Sequence, residues 1–162
     1  MFGVDAERLA RKHATSGLLI DTNLLLLLLV GRYDPRRVSS FKRTMKYSRR
    51  EFGLMQEYVS RFKTLWTTPQ ILTETDNLGR QLGSHEHKAF AAHVRGFIRD
   101  GSEAIINSKQ AAEHEVFPRL GYCDTTTLLK SKDCLLISDD LPLYLAVTGA
   151  GCDVINFNHI RL

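Results

Sequence analysis

Cysteine is scarce in this chain: Cys123, Cys134 and Cys152 are the three in 162 residues. An odd number without CxxC spacing argues against a disulfide framework and a thiolate zinc site. The three are read as buried free thiols. Long apolar runs are missing too. From Leu24 to Val30 only seven apolar residues are continuous, against the roughly 20 that a membrane span needs. Asp21 and Asn23 precede the run, and Gly31-Arg32-Tyr33-Asp34 after it is no small-residue cleavage site. With no span and no export signal, a reducing cytoplasm is the expected compartment. Repeats and low-complexity segments are absent apart from the leucines. Histidine does not form a metal-binding pattern either. The spacing of two between His85 and His87 points their side chains to different helix faces, and His93 adds no partner.

Acid is nearly missing from one segment. Between Arg32 and Arg50 lie Arg32, Arg36, Arg37, Lys42, Arg43, Lys46, Arg49 and Arg50, against Asp34 alone, a net +7. The whole chain carries +4, so the remainder carries −3. A basic segment beside an acidic body fits a polyanion contact, and it equally fits a solvated helix face. Hydrophobic residues at 43% and charged residues at 25% are an ordinary globular balance. The length suits one domain over 1–162, with 1–15 as an N-terminal helical extension.

Gly17-Leu18-Leu19-Ile20-Asp21-Thr22-Asn23 is the organising stretch. Continuous apolar character predicts a strand at 17–21 buried on both faces, as in a parallel sheet, and an all-apolar buried helix at about 23–30. An amphipathic helix at 4–14 would bury Val4, Ala6, Leu9 and Ala10. Pro35 is expected to open a helix reaching Lys46, with Val38, Phe41 and Met45 inward. Another helix covers about 49–63 on Phe52, Met55, Val59 and Phe62. Leu65-Trp66-Thr67 reads as an edge strand. Thr68-Pro69 then reads as a cap and first turn of a helix over 69–82, with Ile71, Glu74, Leu78 and Leu82 on one stripe. A long helix is expected over 85–107, with Phe90, Val94, Phe97 and Ile98 inward, then a short one near 110–118. Cys134–Ile137 is a second buried strand, Pro142 starts a further helix, and 153–157 is a last strand.

Acidic groups fall at four places. Asp21 and the Asp139/Asp140 pair follow buried strands. Glu74 and Asp124 lean toward the apolar sides of helices. Each has a plain alternative, as a helix cap or a side chain reaching to water. Brought together on one sheet rim, they would repel unless cations neutralise them or some stay protonated. Oxygen-only ligands select hard divalent ions, Mg²⁺ or Mn²⁺. Such ions activate water and orient phosphodiesters, and basic side chains hold the strand's phosphates.

The order of these motifs resembles the PIN-domain nucleases, over about 17–157. Leu18-Leu19-Ile20-Asp21-Thr22-Asn23 is similar to the family's apolar strand and Asp-Thr/Ser-Asn. Thr68-Pro69-Gln70-Ile71-Leu72-Thr73-Glu74 is similar to its proline-started helix with glutamate. Asp124 stands for its helix-opening aspartate, and Leu136-Ile137-Ser138-Asp139-Asp140 for its closing strand. The resemblance implies a three-layer α/β/α sandwich with a mainly parallel central sheet. It implies a metal held by Asp21, Glu74, Asp124 and Asp140, with Asp139 the alternative fourth ligand and Asn23 and Ser138 orienting the carboxylates. Many members are ribonuclease toxins of toxin–antitoxin modules, often dimeric and held inactive by a partner protein. The chain departs from the small toxins in its long basic stretch and its extra N-terminal helix.

The expected function is therefore a Mg²⁺- or Mn²⁺-dependent endoribonuclease. RNA is the substrate, and Arg36, Arg37, Lys42, Arg43, Lys46, Arg49 and Arg50 contact it. An antitoxin and a second copy of the chain are the partners implied by the resemblance. A non-catalytic module that binds RNA or protein, and a DNA-directed nuclease, are the alternatives.

Overall fold

The computed structural model describes residues 2–160. Five parallel strands form one sheet: β1 (Leu18–Ile20), β2 (Leu65–Thr67), β3 (Ser102–Glu103), β4 (Leu135–Ser138) and β5 (Val154–Asn156), in the order β3-β2-β1-β4-β5. Eight α-helices flank it among the described residues: α1 (Val4–Lys12), α2 (Thr22–Tyr33), α3 (Arg49–Val59), α4 (Pro69–Gly79), α5 (Ser84–Asp100), α6 (Ser108–Ala112), α7 (Phe117–Lys130) and α8 (Leu141–Gly149). The architecture is a three-layer α/β/α sandwich. The chain moves outward from β1 to β2 and β3, then returns to β4 and β5 on the other side. Right-handed crossovers in opposite directions place their helices on opposite faces. β1 and β4 are therefore the strands at which the order reverses, with Leu18 beside Leu135 and Ile20 beside Ile137.

The leucine run behaves as its composition dictates. Leu24 to Leu29 in α2 are all buried, as are the three residues of β1. α2 packs on α3, α4 and α5, which is why it carries no polar face. No helix among the described residues is long and apolar enough to cross a membrane. α1 is fixed by Phe2 stacking edge-on against Tyr58, by the Tyr58 hydroxyl donating to the Ala6 carbonyl at 2.9 Å, and by Arg61 paired with Glu7. Lys12 and His13 both reach Asp153 at 2.6 Å, next to β5.

Several expectations need correction. No helix runs from Pro35 to Lys46. A single 3₁₀ turn, Pro35–Arg37, is capped by Asp34, and isolated turns follow to Ser48. Thr44 turns its hydroxyl onto the Val38 carbonyl at 2.8 Å, a local bond that competes with a helical ladder. Val38, Phe41, Thr44 and Tyr47 are the inward residues of this strap, while Met45 is exposed. α5 stops at Asp100, and Ser102 and Glu103 pair with Trp66 and Thr67 as the edge strand β3. The segment expected as one helix over 110–118 is α6 and the start of α7. Ile98 and Val4 are exposed rather than inward. Of the cysteines, all free, only Cys134 is fully buried.

α3 opens on a capping box. The Ser48 hydroxyl accepts from Glu51 N at 3.2 Å, and a Glu51 carboxylate oxygen accepts from Ser48 N at 2.6 Å. Ser48→Ala should cost about 1 kcal/mol of stability, read as a lower midpoint in urea with an unchanged slope. A variant as stable as the wild type would show that the strap, not the cap, sets where α3 begins.

Candidate functional site

In an open α/β sheet the crevice beyond the carboxyl ends of the strands opens where the order reverses. Here that point lies between β1 and β4, and an aspartate follows each strand. Asp21 leaves β1 with its amide donating to the Ile137 carbonyl at 3.1 Å. It caps α2, Oδ1 accepting from Thr22 N at 2.6 Å, while Oδ2 accepts from the Ser138 hydroxyl at 2.7 Å. Ser138 Oγ also accepts from Asp140 N at 3.0 Å. Ser138, wholly buried, thus fixes the ends of both strands. Asp140 in turn caps α8, Oδ1 accepting from Leu143 N at 2.8 Å. The cap reading and the rim position hold together for both residues.

Asp124 and Glu74 approach from the helices. A break at Gly121, φ +80, divides α7. The final helical segment carries Asp124 half-buried near Asp140 and Glu74, whose charges act on it. Glu74 is not on the inward stripe of α4: the residues buried there are Ile71, Thr75 and Gly79, spaced by four. Glu74 is exposed and reaches the rim by its length, Oε2 accepting from the Thr22 hydroxyl at 3.2 Å. Beside it lies an open cleft of about 400 Å³ lined by Pro69, Gln70, Thr73, Glu74, Tyr122 and Cys123.

The electrostatics record the crowding. Burial first, then the charges of Asp124 and Asp139, pushes the Asp21 carboxyl up to about 7, against the lowering pull of the Ser138 hydrogen bond. Burial, then Asp140 and Glu74, pushes Asp124 up to about 6. Burial and the Glu74 charge push the Cys123 thiol up, so it stays protonated at neutral pH.

Asp139 stands apart from Asp140. Its Oδ2 accepts from Lys46 Nζ and from the Tyr47 hydroxyl, both at 2.6 Å, and Oδ1 from Asn23 Nδ2 at 3.4 Å. Asn23 therefore contacts Asp139 and Ser138 contacts Asp21. Sequence reasoning had no signal for the Lys46 and Tyr47 contacts, because both residues lie 92 or 93 positions away on an irregular strap. Thr22 and Cys123 were likewise missed as neighbours of Glu74.

The basic residues are outward, as expected, but most have intramolecular partners. Arg36 pairs with Asp34, Arg37 with Glu86 at 2.6 Å and Lys46 with Asp139, and Arg43 Nε donates to Gln81 at 2.7 Å. The charge of Arg49 acts on Asp34.

The rim suits a hard cation by its donor chemistry. All its ligand candidates are carboxylate oxygens, and two of the acids are held up by burial and mutual repulsion, which a cation would relieve. As the side chains stand, no three of the described histidine, cysteine, aspartate or glutamate residues converge closely enough to ligate one ion. Asp21 and Asp140 are fixed by caps, so a cation, if bound, would need Glu74 and Asp124 to move toward it. No protein-family model matches the chain, and comparison with curated proteins and with solved structures gives no match.

Proposed function

We propose that the chain is a Mg²⁺- or Mn²⁺-dependent endoribonuclease of the PIN-like kind. The observation that carries this reading is the carboxylate rim at the strand-order reversal, where Asp21 is 5% exposed and feels the charges of Asp124 and Asp139. A divalent ion there would be held by Asp21 and Asp140, with Asp124 and Glu74 both moving in to complete its ligands. Bound, such an ion supplies an activated water and neutralises the phosphodiester. The chain's own contribution is positional. Ser138 orients Asp21, the α2 and α8 caps fix Asp21 and Asp140, and Thr22 tethers Glu74. Exposed Lys42, Arg49 and Arg50 supply phosphate contacts for an RNA strand.

The test is cleavage of labelled single-stranded RNA, and of DNA of matching sequence, with Mn²⁺, with Mg²⁺ and with EDTA. The expected result is metal-dependent cutting of RNA that EDTA stops. Cutting of DNA alone would reassign the substrate. A second reading, a non-catalytic binding module, is favoured by Asp21 and Asp140 each serving as a cap. It predicts no Mn²⁺ heat in titration calorimetry and no cutting of either polymer.

A further inference from the structure

We infer that Asp139 is a positioning residue that holds the Lys46 ammonium at the edge of the rim, where it meets a phosphate of the nucleic acid strand. It is not a metal ligand. This inference rests on the nuclease reading above.

Three observations carry it. First, both oxygens of Asp139 are engaged, Oδ2 by two donors including an ammonium. Its side chain is 4% exposed. Oδ2 accepts two bonds at 2.6 Å, from Lys46 and Tyr47, and Oδ1 accepts from Asn23. Its carbonyl accepts from Asn158 Nδ2 at 3.3 Å. A metal on Oδ2 would set two cations against one oxygen or expel Lys46. Asp140, by contrast, caps through Oδ1 and leaves Oδ2 with no donor among the described residues; both acids act on the rim by charge, Asp139 on Asp21 and Asp140 on Asp124. Second, the Lys46 side chain is 50% exposed while its Nζ is bonded inward. An ammonium has three donors, so those not facing Asp139 are available to solvent or to a phosphate oxygen. Third, no helix places Lys46. The strap between α2 and α3 is made of isolated turns, and long-range ties hold it: Arg37 to Glu86, Arg43 to Gln81, and Lys46 and Tyr47 to Asp139. The Tyr47 ring meets Phe157 edge-on at 6.3 Å. Of these ties, only the Asp139 one reaches the carboxylate rim.

The chemical consequence is a division of labour between adjacent aspartates. Asp140 serves the cation, and Asp139 serves a cationic side chain that serves the substrate. Lys46 acts as a point charge on a backbone phosphate, without base preference.

The experiment compares Asp139→Asn, Lys46→Met and Asp140→Asn in the full chain. Asp139→Asn should keep Mn²⁺ affinity within about twofold, while Asp140→Asn should lose about tenfold or more. On single-stranded RNA, Asp139→Asn and Lys46→Met should each raise KM about tenfold with kcat nearly kept, and Lys46→Met should flatten the salt slope of metal-free RNA binding by about one contact. Combining Asp139→Asn with Lys46→Met should be no worse than the weaker of those two singles. Hydrogen exchange over 38–47 should quicken in Asp139→Asn. A tenfold loss of Mn²⁺ affinity in Asp139→Asn, or a fall in kcat at unchanged KM, would overturn the inference. So would unchanged protection of the strap. Should the wild type bind no Mn²⁺ and cut nothing, the nuclease reading fails by itself. The exchange and metal-free binding measurements then still decide whether Asp139 holds Lys46 for a phosphate.

Discussion

Asp21→Asn is expected to abolish cleavage, by about a thousandfold or more, and at the same time to make the metal-free protein more stable above neutral pH. The two effects have one origin. Asp21 is buried, and its carboxyl is pushed from 3.8 to about 7. A carboxyl raised in the folded state contributes stability that is complete below its unfolded value of 3.8. That contribution is lost as pH rises through about 7. Three units correspond to about 4 kcal/mol, an upper bound because water and rearrangement relieve part of it. Asp124, raised to about 6, adds loss in the same window. The amide variant does not titrate. Its oxygen can still cap Thr22 N, and its NH₂ can donate to the Ser138 hydroxyl. Urea melts at pH 4 and pH 8 without metal should therefore show little gain at the lower pH and a gain of a few kcal/mol at the higher. Mn²⁺ should reverse the order, stabilising the wild type and not the variant. A variant destabilised equally at both pH values would mean that Asp21 is a structural cap with an ordinary carboxyl.

Gly17→Ala should destabilise the fold by about 2–5 kcal/mol, or roughly 5–15 °C in Tm. Gly17 adopts φ +96 just before β1. A Cβ there would lie 2.7 Å from the Thr64 carbonyl oxygen and 2.8 Å from Trp66 Cδ1. The oxygen cannot retreat, since it accepts the Leu18 amide at 3.0 Å. The Gly17 carbonyl accepts from Leu135 N at 3.1 Å, so any shift is felt in β2 and β4 together. Gly53 is the control: it lies inside α3 with nothing within 4 Å of an added Cβ. Gly53→Ala should gain about 0.5–1 kcal/mol. Similar melting temperatures for the two alanine variants would show that the β1 entry tolerates a side chain.

How much could be read from residues alone follows from what each element depends on. β1, β4 and α2 were legible because burial on all sides demands unbroken apolar runs, and both runs end in aspartates that the sheet order then places side by side. β3 was not, because Ser102 and Glu103 join the sheet through backbone bonds that carry no side-chain signature. The strap failed for a different reason. Val38, Phe41 and Met45 have helical spacing, yet Met45 is exposed, and Thr44 and Tyr47 join Val38 and Phe41 inside through a hydroxyl and a distant carboxylate that periodicity does not register. Glu74 was expected on a buried stripe. It reaches the rim from the exposed side of α4, where chain length matters more than face. The pairing of Asp139 with Lys46 depends on a three-dimensional path that no local pattern encodes.

The burial of β1 and α2 has a consequence for how any rim ligand would announce itself. The Asp21 amide lies between Ile137 and α2, whose Leu24 to Leu29 are all buried, so it should exchange with solvent only when the whole fold opens. Glu74 and the Gly121 end of α7 are exposed, so amides beside them should exchange through smaller openings. A ligand gripping Asp21 would therefore slow exchange across the slowest amides of the sheet and raise global unfolding free energy by mass action. One touching only Glu74 and Tyr122 would protect those local segments and leave the core's exchange rates where they were.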